Sequence, residues 1–311
     1  MFEDLQLFSS IVTSIFIDAA PFLMLGAFLS AALEVYLPQD IIARYTPKSH
    51  LSGLFLGLSA GMVFPTCECG VVPVARRLLK KGVPPHIALT YMLSAPVINP
   101  VVLVSTYVAF QGDIRMVIGR MLMVAIPACC IGLAVSRSKP DFILRETKNH
   151  NDLPGHDHLE SNHSHAPDCG FDHDAHKGSR FTGVLLHTAS EFVEMGKYLI
   201  MGAFAVGLFK IYLPQETLLF FGNNMFLAVG GMMLFAVLLS VCSMADSFLA
   251  ASLTSFPSAA QLSFVSIGPM VDLKLIAMYL AVFQPRLVLT LIIVPTFIIY
   301  LISVPLGMIF G

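Results

Sequence analysis

The chain has no tryptophan, and only 12% of its 311 residues are charged. A soluble domain carries about twice that charged fraction. With 56% hydrophobic residues, the shortage of charge argues against a water-soluble fold and predicts an all-α integral membrane protein in contact with the lipid bilayer. Lacking Trp, it must anchor at the membrane surfaces through Tyr and Phe. A net charge of −2 and the absence of a basic run argue against a nucleic-acid partner. No G-x-x-x-x-G-K-[ST] motif occurs, so any transport must draw on an ion gradient, the cargo's own gradient or another subunit. The opening MFEDLQLF lacks the basic segment of a cleaved signal, so the apolar stretch 7–37 is expected to stay as a span. Cys67/Cys69 and Cys129/Cys130 are spaced too closely for ordinary structural disulfides. All six cysteines, including Cys169 and Cys242, are read as reduced.

What is present is written twice. Residues 24–39, MLGAFLSAALEVYLPQ, return at 200–215 as IMGAFAVGLFKIYLPQ. PTCECG (65–70) corresponds to the segment around CSMADS (242–247), and LTYMLSAPVINPVVL (89–103) to LSFVSIGPMVDLKLI (262–276). A duplicated apolar chain with interrupted helices is the pattern of a secondary transporter. The expected domains are a first transmembrane repeat, 1–137, a His-rich disordered linker, 138–180, and a second transmembrane repeat, 181–311. Each repeat is read as about three spanning helices plus a re-entrant hairpin. The pieces 51–64 and 71–82 form the first hairpin, and 225–241 and 247–257 the second, because each piece is too short to cross a bilayer.

Charge sets the orientation. Three crossings and a hairpin per half put Arg44, Lys48, Arg76, Arg77, Lys80, Lys81, Arg137, Lys139, Arg145, Lys148, Lys177, Arg180 and Arg286 on one side, which the positive-inside rule makes cytoplasmic. Arg115, Arg120, Lys197, Lys210 and Lys274 are the exceptions. An odd number of crossings makes the two repeats inverted. The linker is then cytoplasmic, and the protein is a multi-pass protein of the inner (cytoplasmic) membrane.

The helix breaks carry the chemistry. Cys67, Glu68 and Cys69 sit between Pro65 and Gly70. Backbone that leaves the helix at membrane depth is tolerated only where it is buried or lines a cavity, and two thiols at a C-x-C spacing can point into one space there. Thiolates select soft and borderline ions. Cys242, Ser243, Met244 and Asp246 offer sulfur and oxygen at the matching break. In antiparallel halves the two tips would approach near the midplane. The bland alternatives are small buried cysteines and an interfacial turn. Asn99, at the second break, stands opposite Asp272 and could line a secondary path, or these could be proline kinks satisfied by neighbouring helices. Asp18 and Glu194 match at the 176 offset and are candidate proton relays, unless Asp18 lies at an interface or Lys197 neutralises Glu194. Cys129 and Cys130 read as packing residues.

The linker holds His150, His156, His158, His163, His165, His173 and His176, seven of the chain's ten histidines, with Cys169 among them. Short His-rich tracts point to metal binding, here without zinc-finger spacing.

The stretch PTCECGVVPVARRLLKKGVPPHIALTYMLSAPVINPVV, with CSMADSFLAASL and GPMVDLKL, is similar to the bacterial predicted-permease family, which includes organoarsenical efflux permeases. The likeness covers both hydrophobic halves. The His-rich loop further resembles a branch regarded as copper/zinc efflux transporters. The resemblance implies that Cys67, Cys69, Cys242 and Asp246 hold signature positions, and that Asn99 and Asp272 match the family's Asn-Pro and Asp-Leu-Lys motifs.

The reading is a non-enzymatic export permease for Cu(I) or Zn(II), working by alternating access. It has no obligatory cofactor, the transported ion as ligand, and a homo-oligomer as a possible assembly. The rivals are a trivalent arsenical permease, a membrane thiol oxidoreductase using Cys67/Cys69, and a metal sensor.

Overall fold

A computed structural model describes residues 2–36, 49–63, 66–136, 144, 180–212, 225–254 and 256–310. The expected linker metal ligands, His156, His158, His163, His165, Cys169, His173 and His176, lie outside them. The described residues form twelve helices and no strand. They are α1 (Phe2–Tyr36), α2 (His50–Val63), α3 (Glu68–Lys80), α4 (Pro85–Ser94), α5 (Pro100–Ala109), α6 (Ile114–Val135), α7 (Arg180–Tyr212), α8 (Met225–Leu239), α9 (Ala245–Ser252), α10 (Ser258–Ile267), α11 (Leu273–Val282) and α12 (Pro285–Phe310). Helices α1 to α6 correspond in order to α7 to α12. The apolar stretches at 84–111 and 261–283 are each two short helices, because Pro96 and Pro269 stand in the intervening turns. Both restart on a side-chain cap: Asn99 accepts from Val101 N at 3.0 Å and Asp272 from Leu275 N at 2.6 Å.

Among the described residues, two helices, Ile114–Val135 and Pro285–Met308, are long and apolar enough to cross a bilayer. Their outer faces expose Ile114, Ile118, Leu122, Ile126 and Leu133 on α6, and Leu289, Ile293, Phe297, Leu301 and Met308 on α12. The second set is the first displaced by 175 positions, residue for residue. An apolar stripe that long, turned outward on both copies, is stable against lipid and not against water.

The packing falls into two groups. In one, α1 lies along α7, α3 leans on α1, and α11 leans on α7 and α3. In the other, α2–α4–α6 and α8–α10–α12 repeat the same contacts in each half, α6 meets α12, and α5 holds α9. The match between halves is incomplete, since α1 supports its own half's α3 whereas α7 supports α11.

Two glycines make the first group possible. Gly26 and Gly202 are the same residue of the duplicated segment. A Cβ on Gly26 would stand 2.3 Å from the Gly70 Cα, and one on Gly202 would stand 2.5 Å from the Lys274 Cα. Both obstacles are backbone that cannot rotate away, so only glycine lets α1 and α7 reach the first turns of α3 and α11. Replacing Gly26 or Gly202 with Val is expected to lower stability by about 1–3 kcal/mol, the range for overpacking. A melting curve of the detergent-solubilised variants checks this, and unchanged melting would show that the helices stand further apart.

Candidate functional site

The two helix tips meet. Cys67 runs extended into α3, which opens on Glu68. The Thr66 hydroxyl meets the Tyr91 hydroxyl at 3.1 Å, tying this tip to α4. The opposite tip, 240–244, leaves α8 through Ser240, whose φ of +49 is a sparsely populated conformation for a residue with a side chain. The Ser240 hydroxyl donates to Val237 O at 3.1 Å and accepts from Leu273 N at 3.2 Å, linking that tip to the start of α11. Ser243 then donates to Glu68 Oε2 at 2.8 Å. Glu68 and Ser243 are equivalent positions of the repeat.

Around that contact the charges are paired across the halves. Lys274 of α11 sets its ammonium 2.7 Å from Glu68 Oε1 and 3.6 Å from Asp272 Oδ2. Arg120 of α6 donates from Nη2 to both Asp246 oxygens, at 3.0 and 2.9 Å, and to the Ser243 carbonyl at 3.1 Å. Its Nη1 donates to the hydroxyls of Thr106 and Ser247 at 2.7 and 2.6 Å. The second half thus supplies the cation for the first tip's acid, and the first half the cation for the second tip's acid. All of these charged side chains are buried. A buried charge persists only where it is paired and hydrogen-bonded, so each pair fixes the position of its tip.

The sulfurs are arranged beside this network. The Cys67 and Cys69 thiols lie within hydrogen-bonding reach of each other, Cys67 half-buried and Cys69 buried. Cys242 and Met244 are exposed on the facing tip. Among the described residues, no group of three or more His, Cys, Asp or Glu is disposed to hold a metal ion. The carboxylates of Glu68 and Asp246 are engaged by Lys274 and Arg120, and Asn99 and Asp272 are helix caps. Glu194, read as a proton relay, is half-exposed and pairs with Arg76 at 2.9 Å across the two halves. The Asp18 side chain lies outside the described residues.

Arg120 escaped the sequence reading, which counted it as an exception to the charge bias. The signal was its place inside an apolar 22-residue helix, where an ionised group needs a partner.

Removing one member of such a pair strands the other. Arg120→Met is expected to cost about 3–5 kcal/mol, with Arg120→Met/Asp246→Asn recovering a substantial part. Thermal melting of the wild type, both single variants and the double variant measures the coupling, and strictly additive losses would refute it.

The predicted permease family model matches residues 4–311. A Streptococcus mutans protein with the provisional name of a two-component membrane permease complex subunit is 36% identical over 283 residues, covering 90% of this chain and 88% of its own. UPF0718 protein YcgR of Bacillus subtilis is 38% identical over 285 residues, 91% of each chain. UPF0718 protein YraQ of Escherichia coli is 31% identical over 81 residues, 26% of this chain and 23% of its own. No solved structure matches. Outward-facing apolar helices, a polar junction buried between two repeats and a family match along nearly the whole length lead to one conclusion: the chain belongs to the predicted permeases, a family of membrane transport proteins.

Proposed function

We propose that this permease exports a thiophilic ion, Cu(I) or Zn(II), across the inner membrane by alternating access, the cargo passing where the two tips meet. The observation that supports the reading is the Ser243–Glu68 hydrogen bond, which joins equivalent positions of two repeats whose chain neighbours are Cys67 and Cys69 on one side and Cys242 and Met244 on the other. Inverted halves would bring the tips together at the midplane, with the linker on the cytoplasmic side. There its histidines would collect metal for export.

The donor set narrows the choice. With both tip carboxylates held by cations, the donors left are sulfur. Zn(II) asks for four ligands and accepts imidazole and carboxylate readily. Cu(I) is served by soft sulfur at low coordination, and Met244 adds a thioether. The same sulfur-only set suits a trivalent arsenical, which is the second reading and agrees with the organoarsenical permeases that the sequence resembles. The Streptococcus mutans relative's name further suggests a two-component assembly. A second subunit is one source of the energy that this chain has no motif to supply.

Flux in proteoliposomes across Cu(I), Zn(II), Cd(II) and arsenite tests the reading. Cu(I) flux is expected to exceed Zn(II) flux and to fall at least about tenfold in Cys67→Ser and in Cys242→Ser, as loss of a thiolate from a soft site requires. Fluxes indifferent to both substitutions would sink the assignment. Arsenite flux lost in both variants, with no Cu(I) flux in the wild type, would select the arsenical.

A further inference from the structure

We propose that Asp272 carries an exchangeable proton, and that its loading and release on opposite sides of the membrane couple the cargo to the proton gradient. The inference rests on the permease reading and names its coupling ion.

Beside the thiols of Cys67, Cys69 and Cys242, three carboxylic acids and two strong bases meet at the tips, and the acids and bases do not balance. The acids are Glu68, Asp246 and Asp272, and the bases are Arg120 and Lys274, all buried. Arg120 is committed to Asp246 and three further oxygens, and a guanidinium does not release its proton. Lys274 alone faces the two remaining acids, nearer to Glu68 than to Asp272. Glu68 is completed by Ser243. Asp272 is not completed: Oδ1 caps α11, whereas Oδ2 is buried without a hydrogen bond.

With these three acids and two bases ionised, the cluster therefore holds one uncompensated negative charge where water is excluded. A cation bound at Oδ2 removes it. A soft or transition-metal ion needs several donors, and no metal-holding group of three or more His, Cys, Asp or Glu stands among the described residues. A proton needs one oxygen. The titratable groups in charge reach of Asp272 are Lys274 and Tyr279 on its own helix and Glu68 on α3. The Tyr279 hydroxyl already donates to Met270 O, and Gly202 of α7 packs against the Lys274 backbone. On loading, an O–H bond forms at Asp272, Lys274 keeps its own proton and pairs with Glu68 alone, and the cluster becomes neutral. Release reverses the step, with no redox partner.

Asp272→Asn isolates the charge from the cap. The equivalent residue of the first repeat is Asn99, which already caps its helix, and asparagine caps as well as aspartate. The full chain is reconstituted in vesicles with a trapped pH indicator, using Cu(I) and arsenite as probes. In the wild type, a probe gradient is expected to move protons the opposite way, and an imposed pH gradient to accumulate the probe. In Asp272→Asn the protons moved per probe ion and the pH-driven accumulation, each normalised to the variant's own downhill flux, fall at least about tenfold. Should that variant not fold, as judged by melting, Asp272→Ser keeps a cap and replaces it. Coupling retained in the variant, or coupling to sodium and not to protons, overturns the inference and leaves the permease reading standing. Absence of any probe flux in the wild type overturns both.

Discussion

Each half of the molecule holds the other half's tip with a buried cation. Lys274 reaches Glu68 and Arg120 reaches Asp246, at hydrogen-bonding distance and out of contact with water. A buried charge left without its partner is strongly destabilising, so each half depends on the other's cation. The arrangement constrains its surroundings in turn. Lys274 can stand beside Glu68 only if the starts of α3 and α11 lie close together. They can lie close only because Gly26 and Gly202 let α1 and α7 seat them without a side chain between. The duplicated segment noticed first in the sequence is the support on which the charge pair is built.

The two copies share their scaffold and differ at the junction. The lipid-facing stripe recurs residue for residue, and both broken helices restart on a capping side chain. The charges do not recur. The position of Glu68 is taken by Ser243 in the second copy, and that of Asp272 by Asn99 in the first. A junction of identical repeats would set like groups face to face. Two glutamates there would repel, whereas a serine donates to a glutamate. The divergence turns a self-facing position into a hydrogen bond and leaves one acid, Asp272, without a full partner.

Much of the architecture was legible because lipid restricts it. An interrupted helix needs a proline or a polar cap, and Pro65, Pro96, Asn99, Pro269 and Asp272 marked the breaks to within a few residues of where the helices stop. The short helices at 50–63, 68–80, 225–239 and 245–252 fall close to the short apolar pieces that the sequence marks. Side-chain partners were less legible, since a sequence holds no distances. Lys274 stood in the sequence as an exception to the charge bias, but its ammonium lies 2.7 Å from Glu68, 206 positions away. Glu194 was read as a relay from its apolar setting, yet Arg76 from the other half meets it. Arg120 was put down to imperfect charge bias. In each case the deciding partner came from the opposite repeat, and repeat matching identifies equivalents, not contacts.

The pairing also bears on what can move in a permease of this build. Separating a buried ion pair costs more than sliding apolar helices past one another, so a rigid body should contain both members of each pair. Lys274 and Glu68 belong to the group of α1, α3, α7 and α11, whereas Arg120 and Asp246 belong to the group built on α6, α5 and α9. Each body therefore takes helices from both repeats, and the line between them does not follow the duplication. Across that line run the Ser243–Glu68, Thr66–Tyr91 and Leu273–Ser240 hydrogen bonds, none of them an ion pair. Cys67 and Cys69 ride on one body, and Cys242 and Met244 on the other. A thiophilic cargo bridging them would sit on the plane of relative motion, where a change of body position opens it to one side or the other without unpairing a single buried charge.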